Sequence, residues 1–286
     1  MSPRALIVLS ICLFGGGIAA VAIVHQAGVE TPREKTSAIS PLLYAEVSAA
    51  PQPQRTSIAG TDKQINLPIL VYHIVRPSYP SDSAAVRTLA LTPQTFTAEM
   101  NWLKTSGYHV VRFSDLEAYV ASSTPLPSKP IILSFDDGWG DQFKYAFPIL
   151  EQYHYPVTFF VFTNAINRHG FLTWRDLHAL IAAGMTIGDH TRSHPYLARI
   201  TSTSTLWSEI DGSKRLLEKK LGVPINEFAY PFGEYNPTIL SLVKKAGYKS
   251  ARGDYYSGPL QSAARLFELS ALNAPTTTAQ FEKRFP

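Results

Sequence analysis

The chain has almost no cysteine. The single one among 286 residues is Cys12, inside the apolar run that opens the sequence. The chain beyond that run therefore has no disulfide and no thiolate, so metal ligands must come from His, Asp or Glu. Charge imbalance is also scarce. A formal net charge of +4 suits an anionic envelope but is too small to point to nucleic acid. No segment repeats at a fixed period. Large apolar residues thin out between His25 and Asn66, where Ala, Ser, Thr, Pro and Gln dominate. Such a stretch cannot build a core, and residues 25–66 are expected to form a flexible linker.

What is present begins with Met1 to Val24, where Arg4 precedes a nearly unbroken apolar run from Ala5. About 20 residues suffice to cross a bilayer as a helix. Ala20-Val21-Ala22 equally offers a small-x-small cleavage site. Residues 1–24 thus read as a signal peptide or a signal-anchor helix, and the sequence leaves both open. Either exports the remainder, because positive charge stays on the cytoplasmic side. The expected location is periplasmic, membrane-anchored or extracellular, with the membrane a partner through the first helix if it is uncleaved. Residues 67–286 suit one domain. Strand-length apolar runs alternate there with helical patterns, from a strand at Leu67 to Ile74 to one at Phe267 to Leu272 and a short helix at Thr278 to Arg284. Among the helices, Pro93 to Thr105 follows a plausible N-cap at Thr92. The β-then-α order implies a parallel sheet, and about seven such units fit an α/β barrel better than an open sheet.

Two stretches carry chemistry. In KPIILSFDDG, Lys129 to Gly138, the run Ile131, Ile132, Leu133 reads as a strand buried on both faces. That places Asp136 and Asp137 at its C-terminal end, the edge where α/β folds gather reacting groups. Adjacent carboxylates repel, so a cation or a proton must sit close by. In MTIGDHTRSHP, Met185 to Pro195, another short strand runs into His190 and His194. Four residues apart, the imidazoles are expected on one face of a helical turn, sharing one ion. One carboxylate with two imidazoles leaves a coordination position open, as catalytic rather than structural zinc sites do. Zinc suits the set, and cobalt, nickel or manganese would also fit.

SFDDG, HTRSH and YPFG, in this order and each behind a strand, are similar to the first three motifs of the polysaccharide deacetylases, carbohydrate esterase family 4. The lead-in WRDLHALIAAGMTIGDHT also resembles that family's approach to its histidine motif. The resemblance spans roughly Leu67 to Leu272 and is more specific than any single motif. It implies a distorted (β/α)7-type barrel and metal-dependent removal of N-acetyl groups from an acetylated amino-sugar polymer. On that pattern Asp136 is the general base, and Asp137, His190 and His194 hold the metal. Two departures stand out. Ala229 occupies the position where an arginine usually pairs with the base, and no histidine comes after His194 to serve as general acid. Both resemble the branch that deacetylates poly-β-1,6-N-acetylglucosamine, in which the barrel is permuted and an early Tyr-His supplies the acid; here Tyr72-His73 ends the first strand. Arg175, Arg192 and Arg252 are candidates for the missing partner.

Amide hydrolysis needs an activated water, stabilisation of the carbonyl oxygen and a proton for the departing amine. For the oxyanion, a backbone N–H of Tyr230 or Phe232 could serve, because Pro231 has none. Trp139 follows the Asp pair, Tyr196 follows the His motif, and Tyr230, Phe232 and Tyr235 lie in or just after the third motif; all five are candidates for substrate binding, although aromatics also build interiors. The expected activity is partial de-N-acetylation of poly-β-1,6-N-acetylglucosamine. Deacetylation of peptidoglycan or chitin oligosaccharides, a small-substrate amidase and a non-catalytic glycan-binding barrel are the alternatives.

Overall fold

The computed structural model describes residues 63–253 and 258–286. The apolar run at residues 1–24 and nearly all of the expected linker lie outside the described residues. In chain order the elements are β1 (Gln64–Asn66), β2 (Ile69–Tyr72), β3 (Ile74–Val75), α1 (Ala84–Leu89), β4 (Ala90–Leu91), α2 (Pro93–Thr105), β5 (His109–Val111) and α3 (Phe113–Ser122). Then come β6 (Pro130–Phe135), a π-helical turn at Gln142–Ala146 leading into α4 (Phe147–Tyr153), β7 (Thr158–Val161), α5 (Trp174–Ala182), β8 (Thr186–Asp189) and α6 (Thr203–Leu221). The chain ends with β9 (Glu227–Ala229), α7 (Pro237–Lys245), β10 (Ser250–Arg252), β11 (Leu260–Ser262), β12 (Leu272–Asn273) and α8 (Thr278–Arg284).

The central sheet runs β10-β9-β8-β7-β6-β2-β12, with β5 also on β6, and its pairs are parallel. Its two ends are joined by one stretch of chain. Leu269 bridges to Arg252 of β10, and three residues later β12 pairs with β2. The sheet thus curls into the expected barrel, closed on that side by irregular chain. The expected last strand shrinks to β12 for this reason.

Both faces of the strands are buried, and their two-residue period sorts the side chains. Leu70, Tyr72, Leu133, Phe135, Phe159 and Ile187 pack outward against α2, α4, α5 and α6. Ile69, Val71, Ile132, Phe160 and Ala229 form a second, inner cluster with Phe113 and Leu116. The parity that puts Val71 and Ile132 inside puts His73 and Asp136 at the mouth of the same interior. Gly188 belongs to this inner face; a Cβ there would lie 2.4 Å from the Phe160 ring.

Helix starts reflect sequence chemistry. Thr92 Oγ1 accepts from the Thr95 N–H and Pro93 opens α2, while Thr173 and Asp176 form a reciprocal capping box on α5. β1 falls inside the stretch expected to be linker. It pairs antiparallel with β11, which places the folded part's start at or before Gln64 rather than Leu67. Among the described residues, no helix is long and apolar enough to cross a membrane.

Candidate active site

The Asp pair leaves β6 and the His pair leaves β8, at the same C-terminal edge of the sheet. Asp137 has φ 71° and Gly138 φ 69°. Any Cβ on Gly138 would meet Val161 Cγ1 at 2.9 Å, so this turn requires glycine. The turn swings Asp137 toward the histidines. Its Oδ1 lies 3.7 Å from His190 Nε2 and 3.4 Å from His194 Nε2. The two Nε2 atoms are 3.1 Å apart. The in-plane point equidistant from these three atoms is about 2 Å from each, the distance at which zinc and similar ions bind nitrogen and oxygen. The donor set therefore fits a divalent cation.

Each donor is held from behind. His190 Nδ1 donates to the Ala229 carbonyl at 2.7 Å, which fixes the tautomer and leaves the Nε2 lone pair for the ion. Burial, with a contribution from His194, pushes the His190 pKa down to about 4 against the pull of the two carboxylates, so the ring is neutral at physiological pH. The Trp139 indole N–H donates to Asp137 Oδ2 at 3.0 Å, on the oxygen opposite the one facing the imidazoles. Trp139 is anchored in turn by stacking on Phe171 at 4.6 Å and by a bridge to its backbone.

The helical turn expected for His190 to His194 does not form. Thr191 (φ 72°) and His194 (φ 58°) are left-handed, and the imidazoles meet through an irregular loop. A helix there would leave several N–H groups seeking partners; instead the loop's own polar groups and α6 satisfy them. Thr191 N–H donates to Asp189 Oδ1 at 2.8 Å, His194 N–H to Thr191 Oγ1 at 3.0 Å, and Ser193 gives its N–H and hydroxyl to Glu209, both at 2.8 Å. Asp189, fully buried and pushed up to about 7 by that burial, also accepts from Ser213 at 2.7 Å and Tyr248 at 2.5 Å.

Asp136 stands beside the triangle, with Oδ2 3.9 Å from His190 Nε2. Its Oδ1 accepts from Arg252, a guanidinium buried completely and lying 4.6 Å over the Phe160 ring. Of the three arginine candidates, Arg252 is thus the partner. Arg192 reaches Ser208 instead. Arg252 is the register neighbour of Ala229 across β9 and β10, so the cation comes from the strand next to the usual one. His73 comes after β2 where Asp136 comes after β6, since Tyr72 and Phe135 are register partners and the Asp136 N–H donates to the Tyr72 carbonyl at 2.9 Å. Gln142 ties these two ends together, its amide nitrogen donating to the His73 carbonyl at 2.8 Å and the Asp136 carbonyl at 2.6 Å.

The aromatic candidates divide. Tyr230 and Tyr235 are buried against each other, with Tyr230 donating to the Phe267 carbonyl and Tyr235 to Glu268, so neither ring faces a groove. Tyr196 lies between Phe232, stacked at 3.7 Å and 6°, and the Arg199 guanidinium at 3.9 Å, so both of its faces are covered. Trp139 has its N–H and one face committed. Phe232, half-buried, sits edge-on to His194 at 4.7 Å and is the ring of the five nearest the histidines. The Tyr230 N–H donates to the Arg252 carbonyl in the sheet, which leaves the Phe232 N–H for an oxyanion. Sequence reasoning missed Asp189, Glu209 and Gln142. Asp189 alone carried a local signal, an acid directly before a candidate ligand at a strand end.

A curled parallel sheet with a cation-sized donor triangle and an arginine-paired carboxylate beside it at the C-terminal mouth defines a hydrolase-type α/β barrel. Residues 123–251 match the family model described as polysaccharide deacetylase. The chain is 27% identical over 242 residues to a putative polysaccharide deacetylase, YxkH, of Bacillus subtilis, covering 84% of each. It is 25% identical over 203 residues to the poly-beta-1,6-N-acetyl-D-glucosamine N-deacetylase of Staphylococcus aureus, covering 63% of this chain and 69% of that one. Among solved structures it resembles the Streptococcus pyogenes deacetylase PplD in complex with acetate, with TM-score 0.71 and 25% identity over 79% of this chain and all of that one. Residues 123–251 thus carry a polysaccharide deacetylase domain, and the chain as a whole is similar to hydrolases that act on N-acetyl groups.

Proposed function

We propose that this protein removes N-acetyl groups from poly-β-1,6-N-acetylglucosamine outside the cytoplasm, using a divalent cation, zinc first among the candidates. The observation that carries the reading is the donor triangle of Asp137, His190 and His194 with Asp136 beside it. When bound there, the cation would lower the pKa of water toward neutrality and polarise the acetyl oxygen. Asp136 takes the attacking water's proton, and Arg252, paired with its Oδ1, keeps that carboxylate aimed. The Phe232 N–H donates to the developing oxyanion. His73, on the adjoining strand end, gives its proton to the sugar nitrogen as the C–N bond breaks. Trp139 holds Asp137 so that one oxygen stays turned to the histidines.

The choice of polymer is supported by the early Tyr72-His73, by the absence of any histidine after His194, and by the similarity to the staphylococcal enzyme. Peptidoglycan and chitin fragments are the competing substrates. Acetate release from β-1,6- and β-1,4-linked N-acetylglucosamine oligomers, with and without a chelator, separates the readings. Faster release from the β-1,6 series that a chelator stops is expected. Preference for the β-1,4 series would overturn the substrate, and turnover unaffected by chelation would overturn the metal.

A further inference from the structure

The loop that leaves the mouth after His73 displays an aromatic ring that the mechanism does not use. Among the described residues, Tyr79 is the one large aromatic exposed to solvent, at 48%. Exposed rings on loose loops are unremarkable, but this loop is clamped. Arg76 makes a two-pronged pair with Asp82, at 2.6 and 3.1 Å, and a further ion pair with Asp141 at 3.4 Å. Asp82 also accepts from the Tyr79 N–H at 2.8 Å and donates its own N–H to the Tyr79 carbonyl at 3.0 Å. The Arg76 guanidinium then lies 4.5 Å under the Tyr79 ring. One face of the ring is thus fixed on a rigid cation and the ring stands out from the protein.

This loop belongs to the rim of the active site. Asp141, which holds Arg76, directly precedes Gln142, and Gln142 binds the carbonyls of both His73 and Asp136. Lys144, on the same turn, lies 4.8 Å over the Tyr145 ring and in the neighbourhood of Tyr79 and Asp141. A flat apolar face beside an ammonium and a carboxylate matches a pyranose ring, with its C–H face for stacking and its hydroxyl and acetamido groups for hydrogen bonds. Ordering an arginine and an acid to hold a tyrosine in water costs side-chain entropy that the folded protein does not recover by burying the ring.

We propose that Tyr79 is a stacking platform for a pyranose unit of the polymer other than the one losing its acetyl group, so that longer chains bind better than short ones. The inference rests on the deacetylase reading and deepens it. It predicts a chain-length preference that depends on this ring. The test measures KM on N-acetylglucosamine dimer and hexamer with the metal-loaded full chain, for wild type, Tyr79→Ala and Tyr79→Trp, alongside hexamer binding to the metal-free proteins by saturation-transfer NMR. The ratio of dimer KM to hexamer KM should fall about 3- to 10-fold in Tyr79→Ala and persist in Tyr79→Trp. An unchanged ratio in Tyr79→Ala overturns the platform. If the wild type releases no acetate from either oligomer, the deacetylase reading fails and hexamer binding decides the platform separately: loss of binding in Tyr79→Ala upholds it, and equal or absent binding in wild type overturns it.

Discussion

The two ends of the barrel use backbone freedom differently. At the N-terminal floor, the left-handed turns after α2, α5, α6 and α7 fall on Gly107, Gly184, Gly222 and Gly247 and feed the next strands, while those after α3 and α4 fall on Ser123 and His154. At the C-terminal mouth, left-handed conformations fall on Asp137, Thr191, His194 and Phe232, four of the eight non-glycine residues with positive φ among the described residues. Each such residue costs on the order of 1–3 kcal/mol. The floor needs only the turn, and glycine makes it without a Cβ clash. The mouth needs the turn and the side chain together, so the strain stays and is held in place by hydrogen bonds that Asp189 and Glu209 accept and Trp139 donates. Substitutions at the mouth should therefore change chemistry more than stability, and those beneath it the reverse.

The sharpest test of that division is Asp136→Asn. The amide oxygen still accepts from Arg252, so the fold and metal binding should persist while turnover falls about 10²- to 10⁴-fold, the usual contribution of a general base. Metal titration and steady-state acetate release on one sample separate the two effects, and retained turnover would remove Asp136 from the base role. Arg252→Met should break the division, because Arg252 aims the base at the mouth and is itself completely buried. It leaves the Asp136 charge buried without its cation, a loss of about 3–5 kcal/mol in denaturant unfolding. Combining the two substitutions should cost less than their sum, because the stranded charge is gone.

Below the mouth, Glu99 is buried against Tyr72, whose hydroxyl donates to its Oε2 at 3.0 Å, while Oε1 has no partner. Burial pushes its pKa from 4.5 up to about 8. The folded state therefore holds this proton more tightly than the unfolded chain. The stability it contributes is complete below pH 4.5 and is lost as pH rises to about 8. Glu99→Gln should flatten that loss, worth about 3 kcal/mol between pH 5 and 8. Unfolding curves across that range check it, and an identical pH slope in the variant would rule it out.

How much of the molecule is legible in the sequence depends on how local each signal is. α2 is readable to the residue because Thr92 and Pro93 announce its start, and α8 likewise. The strands are readable because burial on both faces writes them as continuous apolar runs. β1 and β11 are not, being three residues each with one buried position, in stretches of polar composition. The Asp and His motifs show which groups meet at the mouth but not how: spacing suggests a helical turn, whereas the loop's partners, Glu209 and Asp189, lie on α6 and at the end of β8. Arg252 is one of three choices in the sequence because its link to Asp136 crosses 116 residues of chain. The aromatics fail most often, since whether a ring faces a groove depends on stacking partners that spacing does not reveal.

The mildest expected effect tests whether the mouth's strain is held by its surroundings. Trp139 reads from sequence as a sugar-stacking ring, yet its N–H meets Asp137 Oδ2 and its face meets Phe171. Trp139→Phe keeps the stacking and removes only that donor. Outer partners of metal ligands typically matter 10- to 100-fold in affinity, so the divalent-metal Kd should rise by about that factor with the unfolding midpoint nearly unchanged. A paramagnetic ion such as Co2+ bound at the triangle should also quench Trp139 fluorescence in wild type and lose that share of quenching in the variant. An unchanged Kd would mean that the left-handed turn at Asp137 and Gly138 orients the carboxylate unaided, and the mouth would then be as self-sufficient as the glycine turns of the floor.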